Sequence, residues 1–145
     1  MQLSKNFRLS EFTHSDVAKK LGILNECSSV EQVLNLAYLC HMVLQPLRER
    51  FGPVFINSSY RCEELNRAIG GASNSQHMCG EAADIFLPSL ELGIEYLDFL
   101  KTLPVIDQLI WEKRGNVNWI HVSIKRIGKN RRQSLTIDKS IKHAN

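Results

Sequence analysis

The sequence lacks any apolar run close to the roughly 18–20 residues that a membrane-spanning helix requires. Its first residues, from Met1 to Phe7, do not combine a basic stretch with an apolar one, so we expect no secretory signal peptide. Cysteine is scarce and scattered, because the residues at 27, 40, 62 and 79 form no Cys-x-x-Cys pair. This pattern predicts reduced thiols rather than a disulfide framework.

A large excess of charge of one sign is also absent. The formal net charge of +3 is well below that of a typical dedicated nucleic-acid binder. No internal repeat, low-complexity tract or flexible linker interrupts the chain. A length of 145 residues with 43% hydrophobic residues is typical of one compact domain, which we predict to span residues 1–145. We therefore expect a soluble monomer with no nucleic-acid partner and no membrane partner.

Hydrophobic periodicity predicts three helices, at residues 30–51, 63–69 and 89–101. The first is expected to begin at a capping box formed by Ser28 and Glu31 and to kink at Pro46. Short apolar or alternating segments predict strands at residues 54–56, 82–87, 106–111, 119–124 and 133–137. Helices and strands that do not alternate regularly indicate an α+β fold with a mostly antiparallel sheet and flanking helices.

Two segments contain chemically active side chains that core formation does not require. His77 lies in a predicted loop, and Asp84 lies on the following strand, where an unpaired carboxylate would be costly. His121 lies on a later strand, on the face opposite Ile120. Two histidines and one carboxylate suit a catalytic zinc ion, which keeps one coordination position open for water. The alternative is that each histidine is satisfied or solvated and that Asp84 pairs with a nearby base.

The pattern SxHxxGxAxD at residues 75–84, followed by WxH at residues 119–121, resembles the metal motif of the M15 zinc peptidases. That group includes D-alanyl-D-alanine carboxypeptidases and phage endolysins. The upstream segment SSYR at residues 58–61 is similar to the Ser-Gly-Tyr-Arg block of the family. The opening FxLSEF at residues 7–12 resembles the leader of small phage and prophage members. The resemblance covers about residues 7–124, with the motif core at about 54–124.

This resemblance implies a hedgehog/DD-peptidase-like α+β fold and a zinc ion bound by His77, Asp84 and His121. It also implies that Arg61 faces the substrate, a peptidoglycan stem peptide rich in D-amino acids. Because a guanidinium is always charged and forked, Arg61 can hold a carboxylate or a developing oxyanion. The alternative for Arg61 is a structural salt bridge. Ser75 is placed either to bind substrate or to orient the loop that carries His77.

The resemblance also indicates where a general base is expected. Many family members have an acidic residue three positions before the last histidine ligand, but Asn118 occupies that position here, and an amide cannot accept the proton. Glu112 ends the preceding strand, and the hairpin that follows should return the chain to His121 beside it. We therefore predict Glu112 as the catalytic base. The alternative is a charge at the hairpin edge that pairs with Lys113 or Arg114.

These observations favour a zinc metallopeptidase that cleaves peptidoglycan stem peptides, either as a carboxypeptidase or as an endopeptidase. The alternative function is a zinc-bearing, non-catalytic module of the same fold that binds the cell wall. A nucleic-acid binder that uses the basic run at residues 125–132 is a third alternative, although such a run usually forms a solvated face. Since peptidoglycan lies outside the cytoplasm, we expect a protein made in the cytoplasm and released to the wall, as in phage or prophage lysis.

Overall fold

The computed structural model describes residues 1–140, so residues 141–145 of the predicted domain lie outside the described part. Within residues 1–140, no helix is both long enough and apolar enough to cross a membrane. The elements in chain order are β1 (Gln2–Ser4), β2 (Phe7–Arg8), α1 (Leu9–Thr13), α2 (Asp16–Leu21), α3 (Val30–Leu39), α4 (Gln45–Phe51), β3 (Ile56–Ser58), α5 (Glu63–Ala68), β4 (Ala82–Phe86), α6 (Leu90–Lys101), β5 (Gln108–Arg114), β6 (Val117–Ser123) and β7 (Gln133–Asp138).

A five-stranded sheet in the order β3-β4-β6-β5-β7 forms the centre of the fold. The pairs β3-β4, β4-β6 and β5-β6 are antiparallel, and the edge strand β7 runs parallel to β5. A separate two-stranded sheet, β1-β2, lies near the start of the chain. The predicted α+β class and the mostly antiparallel sheet are therefore confirmed.

The strand register assigns the side chains of the sheet to two different faces. Ile85, Ile120 and Trp111 are aligned across β4, β6 and β5, and the adjacent row aligns Asp84 with His121. Successive side chains on a strand point to opposite faces, so the two rows lie on opposite sides of the sheet. Ile85 and Ile120 are fully buried in the hydrophobic core, and the partly buried Trp111 packs against it. The other face is free to form a site.

The long predicted helix is present, but it is divided by a π-helical turn at Cys40–Leu44 that joins α3 to α4. Pro46 lies in the first turn of α4, where a missing backbone N–H is tolerated. The irregularity in the helix is thus a π-helical turn directly before Gln45 and Pro46, close to the position of the predicted kink. Buried apolar side chains extend along the whole helical segment and pack into the core; they are Leu36, Leu39, Cys40, Val43, Leu44 and Leu47.

Several element boundaries differ from the predictions by one to three residues, and two of these differences have a clear physical cause. The helix cap is Ser29, whose Oγ accepts from the backbone N–H of Gln32, while the Gln32 side chain accepts from the backbone of Ser29. The sequence allows a capping box between Ser28 and Glu31 or between Ser29 and Gln32, and the second pair is observed. Glu31 instead forms an ion pair with Arg126. The strand predicted at 54–56 is observed as Ile56–Ser58, because pairing with β4 rather than apolarity defines it.

Candidate metal centre

His77 lies in a 3-10 turn, Gln76–Cys79, that leads into β4. The Oγ atom of Ser75 accepts a hydrogen bond from the backbone N–H of His77 at 3.2 Å and caps this turn. Gly80 ends the turn with a φ of +74°, a conformation that favours glycine. A Cβ atom at this position would also lie less than 3.0 Å from the backbone oxygen of Gln32 on α3. The glycine of the motif therefore lets the turn pack tightly against α3.

Asp84 and His121 are direct register partners on the antiparallel strands β4 and β6. The Nδ1 atom of His121 is 3.1 Å from Oδ1 of Asp84. The Nε2 atom of His77 is 3.4 Å from the same oxygen, and the two imidazole rings have their centroids 5.1 Å apart. The structure thus brings together the three residues predicted as metal ligands, one from a turn and two from neighbouring strands.

A backbone carbonyl fixes the orientation of the His77 ring. The Nδ1 atom of His77 is 2.6 Å from the carbonyl oxygen of Ser59. A carbonyl only accepts hydrogen bonds, so Nδ1 carries a proton, and Nε2 is the ring nitrogen that faces Asp84. The backbone N–H of Arg61 donates to the carbonyl oxygen of His77 at 3.1 Å. The SSYR segment therefore holds the His77 turn by two hydrogen bonds.

The environment of Asp84 favours its ionised form. Burial by itself would raise the pKa of this carboxyl, but the two neighbouring histidines outweigh burial and hold the pKa well below its usual range. The side chains of His77, His121 and Asp84 are 4%, 12% and 18% exposed, so the cluster is shielded without being closed to solvent.

The donor set fits a zinc ion. One ligand atom from each of His77, Asp84 and His121 lies within 4.8 Å of the others. Imidazole nitrogen and carboxylate oxygen are ordinary zinc ligands, and three protein ligands with partial solvent access match a catalytic site rather than a closed structural one. The hydrogen bond from His77 to a backbone carbonyl is also the kind of contact that orients a metal-binding histidine.

Arg61 lies beside the three candidate ligands. One of its terminal nitrogens, Nη2, donates to Oγ of Ser75 at 3.3 Å, and its Nε is buried with no hydrogen-bond partner in residues 1–140. Burial lowers the pKa of Arg61, while the negative charges of Asp84 and Glu112 partly oppose that shift. Residues 1–140 include no ion pair of Arg61 within 4.0 Å, so the structural salt bridge considered above is not observed there. Ser75 supports both the turn and the guanidinium.

Glu112 lies on the same sheet face as His121. It pairs with Trp119 across β5 and β6, and the residue directly opposite His121 is Ile110, two positions earlier on β5. The Glu112 side chain is 7% exposed, and its Oε1 is 3.3 Å from Nζ of Lys139. The alternative in which Glu112 pairs with Lys113 or Arg114 at the hairpin edge is therefore wrong.

Asn118 points away from the candidate ligands. Its Oδ1 accepts from Nε1 of Trp111 at 2.9 Å, and Trp111 belongs to the core-facing row of the sheet. Three residues along a strand reverse the face, so Asn118 and His121 lie on opposite sides. In this chain Asn118 has a structural role in the hairpin.

An ion pair that sequence reasoning missed supports the His77 turn from the other side. Asp107 is fully buried and accepts hydrogen bonds from the backbone and the guanidinium of Arg131. Arg131 also donates to Oε1 of Gln76, the residue before His77, at 3.2 Å. Arg126 in the same basic run pairs with Glu31. The basic run at residues 125–132 is therefore not simply a solvated face, because two of its arginines form ion pairs with residues far away in the sequence.

The predicted free thiols are confirmed, since all four cysteines are free in the structure. Burial raises the pKa of Cys27, Cys40 and Cys79. A raised pKa disfavours the thiolate, which is the metal-binding and nucleophilic form. Within residues 1–140, the cluster of candidate metal ligands contains no cysteine.

Comparison with known proteins agrees with this geometry. The family model described as Peptidase M15 matches residues 5–123 of the chain. The zinc D-Ala-D-Ala carboxypeptidase of Streptomyces albus G is 46% identical over 44 residues, which cover 29% of this chain and 17% of that protein. The matched segment thus covers less than a fifth of the length of this relative.

Proposed function

The chain belongs to the peptidase M15 family, and on this premise we propose that it is a zinc-dependent metallopeptidase that hydrolyses peptide bonds in bacterial peptidoglycan stem peptides. The observation that supports this most directly is the convergence of His77, Asp84 and His121 on one point at the sheet face. We propose that the fold is of the hedgehog/DD-peptidase type. The name of the Streptomyces relative supports a substrate that contains D-alanine.

His77, Asp84 and His121 would hold the ion. Zinc bound there would polarise the scissile carbonyl and lower the pKa of a bound water to near neutrality. The chain's own contribution is to orient the three ligands, through the Ser59 carbonyl for His77 and through strand pairing for the other two.

Glu112 is proposed as the general base. Its carboxylate lies on the same sheet face as His121. The negative charge of this carboxylate also acts on Arg61 and opposes the lowering of the Arg61 pKa by burial. Glu112 would accept a proton from the attacking water and then deliver it to the leaving amine. Arg61 would hold a carboxylate or the carbonyl oxygen of the substrate, because its Nε has no partner in residues 1–140.

Metal binding provides the first test. We expect one zinc per chain in the purified protein, and loss of zinc in His77→Ala and His121→Ala. His14→Ala is a matched control, because His14 is a half-exposed histidine that pairs with Asp16 outside the cluster. Full zinc occupancy in a folded His77→Ala protein would contradict the ligand assignment.

Cleavage provides the second test. Purified muropeptides are incubated with the zinc-loaded protein, and the products are identified by mass spectrometry. Loss of a terminal D-alanine indicates a carboxypeptidase, whereas a cut within the stem or cross-bridge indicates an endopeptidase. Glu112→Gln keeps the shape of the side chain but removes the proton acceptor, so cleavage should fall by at least about 100-fold while zinc stays bound. Glu95→Gln, at an exposed position of α6, is the control.

The same assay tests the second candidate function. A zinc-loaded wild-type protein that binds purified cell wall but releases no fragment would favour a non-catalytic wall-binding module. Asn118 motivates this candidate, because an amide replaces the acid of many family members and is bound to Trp111. We further propose a role in phage or prophage lysis, in which the protein reaches the wall after release from the cytoplasm. To test that role, the protein is expressed in bacterial cells together with a holin, and we expect these cells to lyse from within.

A further inference from the structure

Lys139 directly follows β7, beyond the family motifs, and its ammonium group reaches the face of the sheet that contains the candidate metal centre. Strand β7 pairs in parallel with β5, so that Leu135 is opposite Ile110 and Ile137 is opposite Glu112. Alternation along the strand then places Lys139 on the same face as Glu112. The backbone N–H of Lys139 donates to the carbonyl oxygen of Lys113 at 2.6 Å.

Two contacts locate the ammonium group of Lys139. Its Nζ is 3.3 Å from Oε1 of Glu112 and 5.7 Å from the ring centroid of Trp119. The Lys139 side chain is 41% exposed, whereas the Glu112 side chain is 7% exposed. The partly solvated lysine therefore contributes its charge to a nearly buried carboxylate, while the indole ring restricts where the ammonium can lie.

A buried carboxylate without a partner is costly and tends to rotate towards water or to become neutral. Lys139 is the ion-pair partner of Glu112 in the part of the chain that the structure describes. The contact uses Oε1, which leaves Oε2 to exchange a proton with water. Loss of the ammonium would leave this nearly buried carboxylate without that ion-pair partner.

We propose that Lys139 is a positioning residue that holds the carboxylate of Glu112 in its reactive orientation. This inference rests on the proposed function of Glu112 as the base. It differs from direct substrate binding by Lys139, which would change KM, and from a purely structural role in anchoring β7, which would change only stability.

The experiment compares Lys139→Met, Lys139→Arg and Lys113→Met in the full-length, zinc-loaded protein. Lys113→Met removes the same charge from a neighbouring exposed residue that lies on the other face of β5. We expect Lys139→Met to lower kcat for stem-peptide cleavage by about 10- to 100-fold, with KM changed less than about 2-fold, because a misplaced reacting group costs rates of this order. Lys139→Arg should restore most of kcat, and Lys113→Met should behave like the wild type.

A second measurement needs no turnover. Urea unfolding of the metal-free wild type, Glu112→Gln, Lys139→Met and the double variant forms a double-mutant cycle. We expect the shifts in the unfolding midpoint to be non-additive, because either single substitution already breaks the ion pair. Additive shifts would overturn the coupling between the two residues.

The outcomes separate this inference from the proposed function. If Glu112→Gln is inactive while Lys139→Met keeps the wild-type kcat, Lys139 does not position Glu112, although the base assignment stands. A change in KM alone would assign Lys139 to substrate binding and overturn the inference. If Glu112→Gln keeps full activity, or if the wild type cuts no stem peptide, the base assignment fails and the role of Lys139 fails with it.

Discussion

Replacing Gly80 by alanine is expected to weaken the candidate metal centre without changing any of its ligands. Gly80 has a φ of +74°, and an added Cβ atom would lie less than 3.0 Å from the Gln32 backbone oxygen and 3.2 Å from Cγ of Leu36. The first neighbour is backbone of α3 and cannot rotate away. The His77 turn would therefore have to move off the helix.

The expected loss of stability in Gly80→Ala is the sum of two separate costs. A left-handed conformation costs an alanine about 1–2 kcal/mol relative to glycine. Overpacking against a rigid neighbour adds about 1–3 kcal/mol. We therefore expect Gly80→Ala to lower the free energy of unfolding by about 2–5 kcal/mol. Displacement of the turn that orients His77 should also weaken zinc binding by about 10- to 100-fold, as loss of outer support does in other metal sites.

Gly22 provides a control with nearly the same backbone conformation. It ends α2 with φ +67° and ψ 28°, whereas Gly80 has φ +74° and ψ 21°. No atom lies within 4 Å of a Cβ built on Gly22. Gly22→Ala should therefore show only the conformational cost of about 1–2 kcal/mol, with unchanged zinc affinity.

The assay is urea denaturation of the metal-free proteins, followed by competition for zinc with a chromophoric chelator. Equal destabilisation of the two variants would show that the contact with α3 is not close enough to matter. Unchanged zinc affinity in a destabilised Gly80→Ala protein would show that the position of the turn does not control His77. Either result would refute the reasoning given above.

Three further predictions concern polar side chains near the site. Arg61→Lys keeps the charge but loses the fork, so kcat/KM should fall by about 1–3 kcal/mol equivalent, whereas an unchanged rate with a lower Tm would indicate a structural role. Burial would raise the pKa of Asp107, but its hydrogen bonds and ion pair with Arg131 lower it overall. The resulting stabilisation is present above the ordinary Asp pKa of about 3.9 and is lost as the pH falls through the lower folded-state pKa. The stability difference between wild type and Asp107→Asn in urea unfolding should therefore shrink below about pH 4, and a constant difference would contradict this. Ser75→Ala removes the cap of the His77 turn and should lower the free energy of unfolding by about 0.5–2 kcal/mol, whereas unchanged stability with a raised KM would assign Ser75 to the substrate.

Local patterns in the sequence were sufficient to predict most of the helices, the core-facing side of β6 and the candidate metal ligands. Alternation along β6 separates His121 from Ile120 whatever the partner strand is, and helical spacing buries Leu36 and Leu39 in any fold that covers one face of α3. The short N-terminal elements α1 and α2 were missed, because helices of five and six residues have too few turns to show a period.

Only the tertiary structure decided which charged groups meet at the site. Lys139 reaches Glu112 because β7 runs parallel to β5, and Arg131 reaches Gln76 because it pairs with Asp107 at the start of β5. Neither contact follows from spacing along the chain, since strand order and direction set the distance between such residues. The role of Asn118 was likewise not predictable from spacing, because the register of the hairpin places it where its side chain accepts a hydrogen bond from Trp111 on the core side. Periodicity determines the face on which a side chain lies, and long-range pairing determines which side chains share that face.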